Sequence, residues 1–281
     1  MALHIGTDEA GYGPLLGPLV IAASVYETDG ERRTLPGAGV DDSKVVYARG
    51  GRAALARVLG PYLGLDPPVT LEALLARLSV RGDPRADYPW YGDVTDPVPA
   101  PGPPPAAFLR LYVNPVCERD FNAGCAAWGG KAGVLFRETM RLVRRALEDA
   151  PAGDAVVVCD RHGGRRRYAA LLMAELEPAT LVTVRESAAV SSYRLQLGGR
   201  DIRIRFVRQA DATDKAAALA SMAAKYVREL FMEGLNAYFT ARVADLRPTA
   251  GYYVDGRRFL HEVEGVLGEL DGGRDTFVRV S

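Results

Sequence analysis

Short apolar runs at residues 3–7 and 18–26 flank the turn Gly11-Tyr12-Gly13-Pro14, which predicts two strands joined through a glycine-rich loop. After a Pro/Gly loop and Asp41-Asp42-Ser43-Lys44, Leu55, Val58, Leu59 and Leu63 recur at helical spacing, so a helix is expected over 52–63. A second is expected over 70–79, with Thr70 as its cap and Leu71, Leu74, Leu75 and Leu78 as its stripe. Residues 81–106 are poor in aliphatics and rich in Pro, Gly and Asp. They read as a surface excursion, partly polyproline-like along Pro97–Pro105. Phe108 to Val116 is again apolar, so no domain boundary is placed there.

The second half is easier to parse. Gly129-Gly130-Lys131 opens a long helix over 129–148. Ala-Val-Val-Val-Cys at 155–159 is continuously apolar, as a buried central strand should be, and it ends at Asp160. A helix near 167–176 and a strand over 179–185 follow. Residues 193–206 alternate on both sides of Gly198-Gly199, the pattern of a hairpin. Tyr193, Leu195, Leu197, Ile202, Ile204 and Phe206 share one face, while Arg194, Gln196, Arg203 and Arg205 share the other. An Ala-rich helix spans about 212–232, and shorter helices close the chain. No internal repeat is visible.

Composition narrows the function classes. The 281 residues are 48% hydrophobic and 25% charged, which excludes dominant disorder. No apolar stretch is long enough to cross a membrane, and the first residues lack a signal-peptide pattern. With three cysteines (Cys117, Cys125, Cys159) and no Cys-x-x-Cys, neither a disulfide framework nor structural zinc is expected; the thiols read as reduced packing residues in a cytoplasmic protein. Lys plus Arg (35) equals Asp plus Glu (35), so any nucleic-acid binding must use a local basic strip.

The acidic residues offer chemistry. Asp8 and Glu9 end one apolar strand, Asp160 ends another, and Asp211 lies at the start of the Ala-rich helix. One such Asp is usually a cap or a turn residue. Two adjacent carboxylates ending a strand share no capping role, though successive strand residues point to opposite faces. Both reach one site only if the chain leaves the strand at Glu9. Converging carboxylates repel unless cations neutralise them, and hard oxygen donors without His or Cys suit Mg²⁺ or Mn²⁺. Two such ions can drive phosphodiester hydrolysis.

Gly6-Thr7-Asp8-Glu9-Ala10-Gly11-Tyr12-Gly13-Pro14-Leu15-Leu16-Gly17-Pro18 resembles the opening motif of the ribonuclease HII family. Asp42-Ser43-Lys44, Phe121-Asn122, Val156 to Asp160, Ala210-Asp211 with Ala220-Ser221-Met222-Ala223-Ala224-Lys225, and Gly251-Tyr252 resemble its later motifs, in order. The spacing from Asp211 to Ser221 and Lys225 matches Asp211 rather than Asp214 to the family's fourth acid.

The resemblance implies an α/β ribonuclease H-like fold: a mixed central sheet flanked by helices, with a catalytic domain over 1–232, an insertion at about 64–106 and a C-terminal helical extension over 233–281. It implies hydrolysis of RNA in RNA-DNA hybrids, or at ribonucleotides embedded in DNA, leaving 3′-hydroxyl and 5′-phosphate ends. Asp8, Glu9, Asp160 and Asp211 become ligands of a two-ion Mg²⁺ or Mn²⁺ site. Gly11 and Gly13 allow close approach around the ribose 2′-hydroxyl, Lys44 contacts a phosphate, and Tyr252 stacks on a sugar. A monomer is expected, with protein partners left open.

Tyr12 stands where the family has Arg, which bears on substrate preference. Arg161-His162-Gly163-Gly164-Arg165-Arg166-Arg167 also departs from the family; it reads as a phosphate clamp, with Arg161 and Arg165 on the nucleic acid, or as a solvated helix start. The hairpin arginines fit a backbone groove or a solvated sheet face equally. His162 reads as a lone surface histidine outside the catalytic set, and Gly129-Gly130-Lys131 lacks the full phosphate-loop pattern. Two alternatives remain: a nuclease of this fold with another structured substrate, and a nucleic-acid-binding protein without turnover.

Overall fold

A computed structural model of the chain describes residues 2–29, 35, 37, 39–97, 102–268, 270 and 273–280. Strands β1 (Ala2–Ala10) and β2 (Leu19–Thr28) lead into α1 (Ser43–Leu63), β3 (Val69–Thr70), α2 (Leu71–Leu78), β4 (Thr95–Asp96) and β5 (Phe108–Val116). Helices α3 (Glu118–Ala127) and α4 (Lys131–Asp149) precede β6 (Ala155–Asp160), α5 (Ala169–Leu176), β7 (Thr180–Glu186), β8 (Val190–Leu197) and β9 (Arg200–Val207). Last come α6 (Ala210–Thr213), α7 (Lys215–Thr240), α8 (Tyr253–Glu262), α9 (Glu264–Leu267) and α10 (Gly273–Phe277).

The main sheet has the order β5-β2-β1-β6-β9-β8-β7. It is mixed: β1 runs antiparallel to β2 but parallel to β6, and β6 runs parallel to β9. Both faces are covered, so β2 is buried along nearly its whole length and continuously apolar from Leu19 to Ala23 instead of alternating. Val20, Ala22 and Tyr26 face a layer that includes α1, α2 and α7, whereas Ile21, Ala23 and Val25 pack in a second core with residues of α3, α4 and α5. The register pairs Thr7 with Cys159 and stops there, while β1 continues along β2 to Ala10. The carboxyl ends of two parallel strands thus open side by side, where open α/β sheets commonly bind ligands. Gly6 brings α7 against this edge: a Cβ there would lie 2.1 Å from the Ala217 nitrogen.

The hairpin forms as its alternation predicts. Gly198 and Gly199 both take left-handed φ (58° and 76°), the geometry of a two-residue turn. Arg194 pairs in register with Arg203 on the exposed face.

Several expectations are corrected. The helix expected over 52–63 begins at Ser43, because Asp42 caps it, and it kinks at Gly50-Gly51. Its first turns carry too few aliphatics to show a stripe. Residues 81–106 are only in part a surface excursion. Tyr88, Trp90 and Tyr91 are buried in the first core, where edge-to-face ring contacts replace aliphatic packing. Of the expected polyproline run, residues 98–101 lie outside the described residues. The Ala-rich helix continues to Thr240, so the division placed at 232/233 falls inside α7. Phe259, Leu260 and Phe277, from the expected extension, join the first core. Among the described residues no helix is long and apolar enough to cross a membrane.

Candidate metal centre

Asp8, Glu9 and Asp160 each offer a carboxylate oxygen, and the three atoms lie within 4.8 Å of one another. Asp8 is buried; Glu9 and Asp160 are half-buried. The chain does not leave β1 at Glu9, as convergence was expected to require. It stays in β1 to Ala10, and it is the neighbouring strand that stops. Asp8 accepts a hydrogen bond from the Glu9 amide (2.8 Å), and Asp160 accepts one from the Ala210 amide (2.9 Å), which ties α6 to the end of β6.

The electrostatics are those of an uncompensated site. Burial, then the charges of Asp160 and Asp211, push Asp8 up to about 8, against a Ser221 hydrogen bond that lowers it. Glu9 is raised well above the usual carboxylate range by burial and by Asp8, Asp160 and Asp211. Asp211 is raised by burial and by Asp42, with Lys44 acting in the opposite direction. It stands outside the three-carboxylate group, although its charge acts on Asp8 and Glu9. Among the described residues none of these four carboxylates has an ion-pair partner. Buried like charges of this kind, all hard oxygen donors, are the chemistry of a Mg²⁺ or Mn²⁺ site.

A hydroxyl pair backs the cluster. The Ser221 oxygen on α7 lies 3.0 Å from that of Ser43, at the start of α1, and Ser221 is near enough to Asp8 to lower its pKa. The motifs contain these serines, but no role was assigned to them. The available signal is a buried hydroxyl in an otherwise Ala-rich helix. Asp214 has a different place: it accepts from the Ala217 amide as the cap of α7 and hydrogen-bonds His4 at 2.7 Å.

The residues expected on nucleic acid divide into several groups. Gly11 has φ +85°, and a Cβ there would lie 2.5 Å from the Arg228 Nε, so the fold itself requires this glycine. Gly13 is exposed, and a Cβ there would meet nothing within 4 Å. Tyr12 is half-buried, and its hydroxyl approaches Gly163 of the loop after β6. Burial and then Glu9 raise its pKa, while Arg165 lowers it, so Arg165 stands close to the glycine loop. The Arg161 guanidinium instead donates to the carbonyls of Ser187 and Ala188. Lys44 is exposed beside Asp211. Tyr252, 58% exposed, lines a cavity of about 480 Å³ with Tyr47, Lys225, Arg228 and Glu229.

His162 is not a surface residue. It is buried among Phe136, Tyr168 and Phe206, and burial holds its pKa down at about 3. The basic segment folds over this aromatic nest and does not start a helix, since α5 begins only at Ala169.

Residues 5–71 match the family model Ribonuclease HII. A Ribonuclease HII of Pyrococcus abyssi (strain GE5 / Orsay) is 59% identical over 39 residues, which are 14% of this chain and 17% of that relative. The chain thus matches less than a fifth of the length of that curated relative. Its fold is similar to a chain of the PCNA:RNase HII complex from Archaeoglobus fulgidus, with a TM-score of 0.53 and 20% identity over 99% of this chain and 94% of that one. It is also similar to Bst-RNase HIII in complex with Mn²⁺, with a TM-score of 0.51 and 14% identity over 99% of this chain and 66% of that one. The expected α/β ribonuclease H-like fold and the resemblance to the ribonuclease HII family are borne out.

Proposed function

We propose that this chain, which carries the ribonuclease HII signature over residues 5–71 on a ribonuclease H-like fold, is a metal-dependent endoribonuclease acting on RNA-DNA hybrids or on ribonucleotides embedded in DNA. The observation that carries the reading is the cluster of Asp8, Glu9 and Asp160, buried or half-buried at the open ends of β1 and β6 with no counter-cation among the described residues. Like charges held this close destabilise a fold, so their retention speaks for a bound cation and against a purely structural role.

Asp8, Glu9 and Asp160 would hold Mg²⁺ or Mn²⁺, and Asp211 completes the set from α6. Two bound ions supply activation of a water and neutralisation of the leaving oxygen, consistent with 3′-hydroxyl and 5′-phosphate products. Around them the chain's own groups position the substrate. Gly13 leaves the loop backbone open to a ribose 2′-hydroxyl, the group that separates RNA from DNA. Lys44 and Arg165 contact phosphates as point charge and fork respectively. Tyr252 presents an exposed ring for stacking on a sugar or base. The active unit is a cytoplasmic monomer.

Tyr12 favours a second reading, in which the same centre cuts another structured nucleic acid. A panel of RNA-DNA hybrid, DNA duplex with one ribonucleotide, double-stranded RNA and branched DNA, each with Mg²⁺ or Mn²⁺, separates the two. The first reading expects cleavage of the first two substrates alone, with 5′-phosphate ends. Cleavage confined to double-stranded RNA or branched DNA selects the second reading, and binding without cleavage on every substrate defeats both.

A further inference from the structure

The loop between β1 and β2 has no ladder of its own, so its backbone groups must find partners elsewhere. Nearly all the partners it finds come from much later in the chain. Gly17 N–H donates to the buried Glu118 carboxylate, and Leu15 and Leu16 N–H donate to the Gly251 carbonyl. The Arg228 guanidinium donates to the Leu16 carbonyl. Arg279, two residues from the chain end and 1% exposed, donates to the carbonyls of Gly11, Tyr12 and Gly17. Its backbone N–H donates to the Leu15 carbonyl, and its guanidinium lies 3.8 Å over the Phe121 ring. Asn122 brackets the same arm, donating to the Val278 carbonyl and accepting from Val280 N–H, each at 2.8 Å.

A trans peptide points its C=O and the following N–H in opposite directions. The peptides here are trans. With the Gly11 and Tyr12 carbonyls drawn toward Arg279, the Tyr12 and Gly13 amides face away from it. Among the described residues neither amide has a protein acceptor, and Gly13 borders open space. Two successive free N–H groups on one side of a turn make a small anion- or hydroxyl-binding concavity.

We infer that Arg279 is a positioning residue: the C-terminal arm folds back beneath the glycine loop and aims the Tyr12 and Gly13 amides at the ribonucleotide. The inference rests on the ribonuclease reading and adds to it a residue far from the carboxylates. The arm sets recognition of the sugar and leaves metal binding alone. It also gives the expected extension a role in the site.

The test uses the full-length protein in Mn²⁺, with a duplex containing one ribonucleotide as substrate and the all-DNA duplex of the same sequence as competitor. In Arg279→Met, KM for the substrate rises about tenfold, as loss of one or two aimed hydrogen bonds would give. The Mn²⁺ concentration for half-activation and the inhibition constant of the all-DNA duplex stay at wild-type values. Arg279→Lys, which keeps the cation but not the fork, recovers part of the KM. Asn122→Ala loosens the arm without removing the buried charge, moves KM in the same direction by a smaller factor, and decides the matter if Arg279→Met does not fold. An unchanged KM in folded Asn122→Ala and Arg279→Lys overturns the inference. So does an equal weakening of both duplexes. Wild-type protein that cuts neither hybrid nor embedded ribonucleotide instead defeats the ribonuclease reading itself.

Discussion

Two charged clusters adjoin the glycine loop, and they answer burial in opposite ways. At the strand ends, Asp8, Glu9 and Asp160 add like charge to desolvation, and Asp8 is pushed up to about 8. Beneath the loop, Glu118, Arg228 and Arg279 carry mixed charge. Burial raises Glu118 to about 7, but the Tyr91 hydroxyl, the Gly17 amide and Arg279 all act to lower it. Arg279 is lowered to about 10 by burial, while Glu118 pulls the other way. The second cluster sets cations against an anion and ties its arginines to backbone carbonyls, although Glu118 Oε2 and the Nε atoms of Arg228 and Arg279 have no partner; among the described residues the first has no counter-cation. The difference separates a scaffold from a site: opposed charges hold the loop, and unopposed like charge awaits a ligand.

The sharpest way to break this comparison is Asp8→Asn. Cleavage should fall by more than about 100-fold, beyond the ~10–100-fold that a group behind a metal ligand costs. The fold, followed by circular dichroism, should persist. Asp211→Asn should behave alike, and near-wild-type turnover in either variant would remove it from the ligand set. Ser221→Ala tests the shell behind Asp8 and should lower the rate within that ~10–100-fold range, with Ser43→Ala weaker because it acts through Ser221.

Effects on stability come next. Glu118 has a folded pKa of about 7 against 4.5 when unfolded, so the native state holds the proton longer. Its contribution is present below about 4.5 and is lost as pH rises toward 7, a change on the order of a few kcal/mol that Glu118→Gln should flatten in denaturant melts. His162 has the opposite sign: its folded pKa of about 3 against 6.5 gives stability present above 6.5 and lost as pH falls toward 3. His162→Phe should remove that acid limb and leave the Glu118 slope in place. Melts of both variants that keep the wild-type pH profile would contradict the burial of these two groups.

What was legible in the sequence follows from how local the signals are. The ends of β1 and β6 were readable because a continuous apolar run stops at an acid, and that is enough to bring Asp8, Glu9 and Asp160 to one edge. The hairpin was readable because alternation and a Gly-Gly turn agree. Tyr88, Trp90 and Tyr91 were missed because aromatic core residues in a Pro/Gly-rich segment carry no period, although three aromatics within four residues was a usable sign. The Ser43–Ser221 pair joins residues 178 positions apart, and Arg279 lies in a closing segment that carries no motif and partners a loop 262 to 268 positions away. Long-range hydrogen bonds to irregular backbone leave no pattern along a chain.

Thermal unfolding of wild-type protein and Asp8→Asn, each with and without Mn²⁺, tests the central claim most directly. Without metal, Asp8→Asn should melt higher than wild type, because one of the crowded charges is gone. With saturating Mn²⁺ the order should reverse, wild type gaining about 2.7 kcal/mol at 100 times the dissociation constant and the variant much less. A wild-type melting temperature unmoved by Mn²⁺, or moved equally in the variant, would contradict the assignment of these carboxylates as a metal centre.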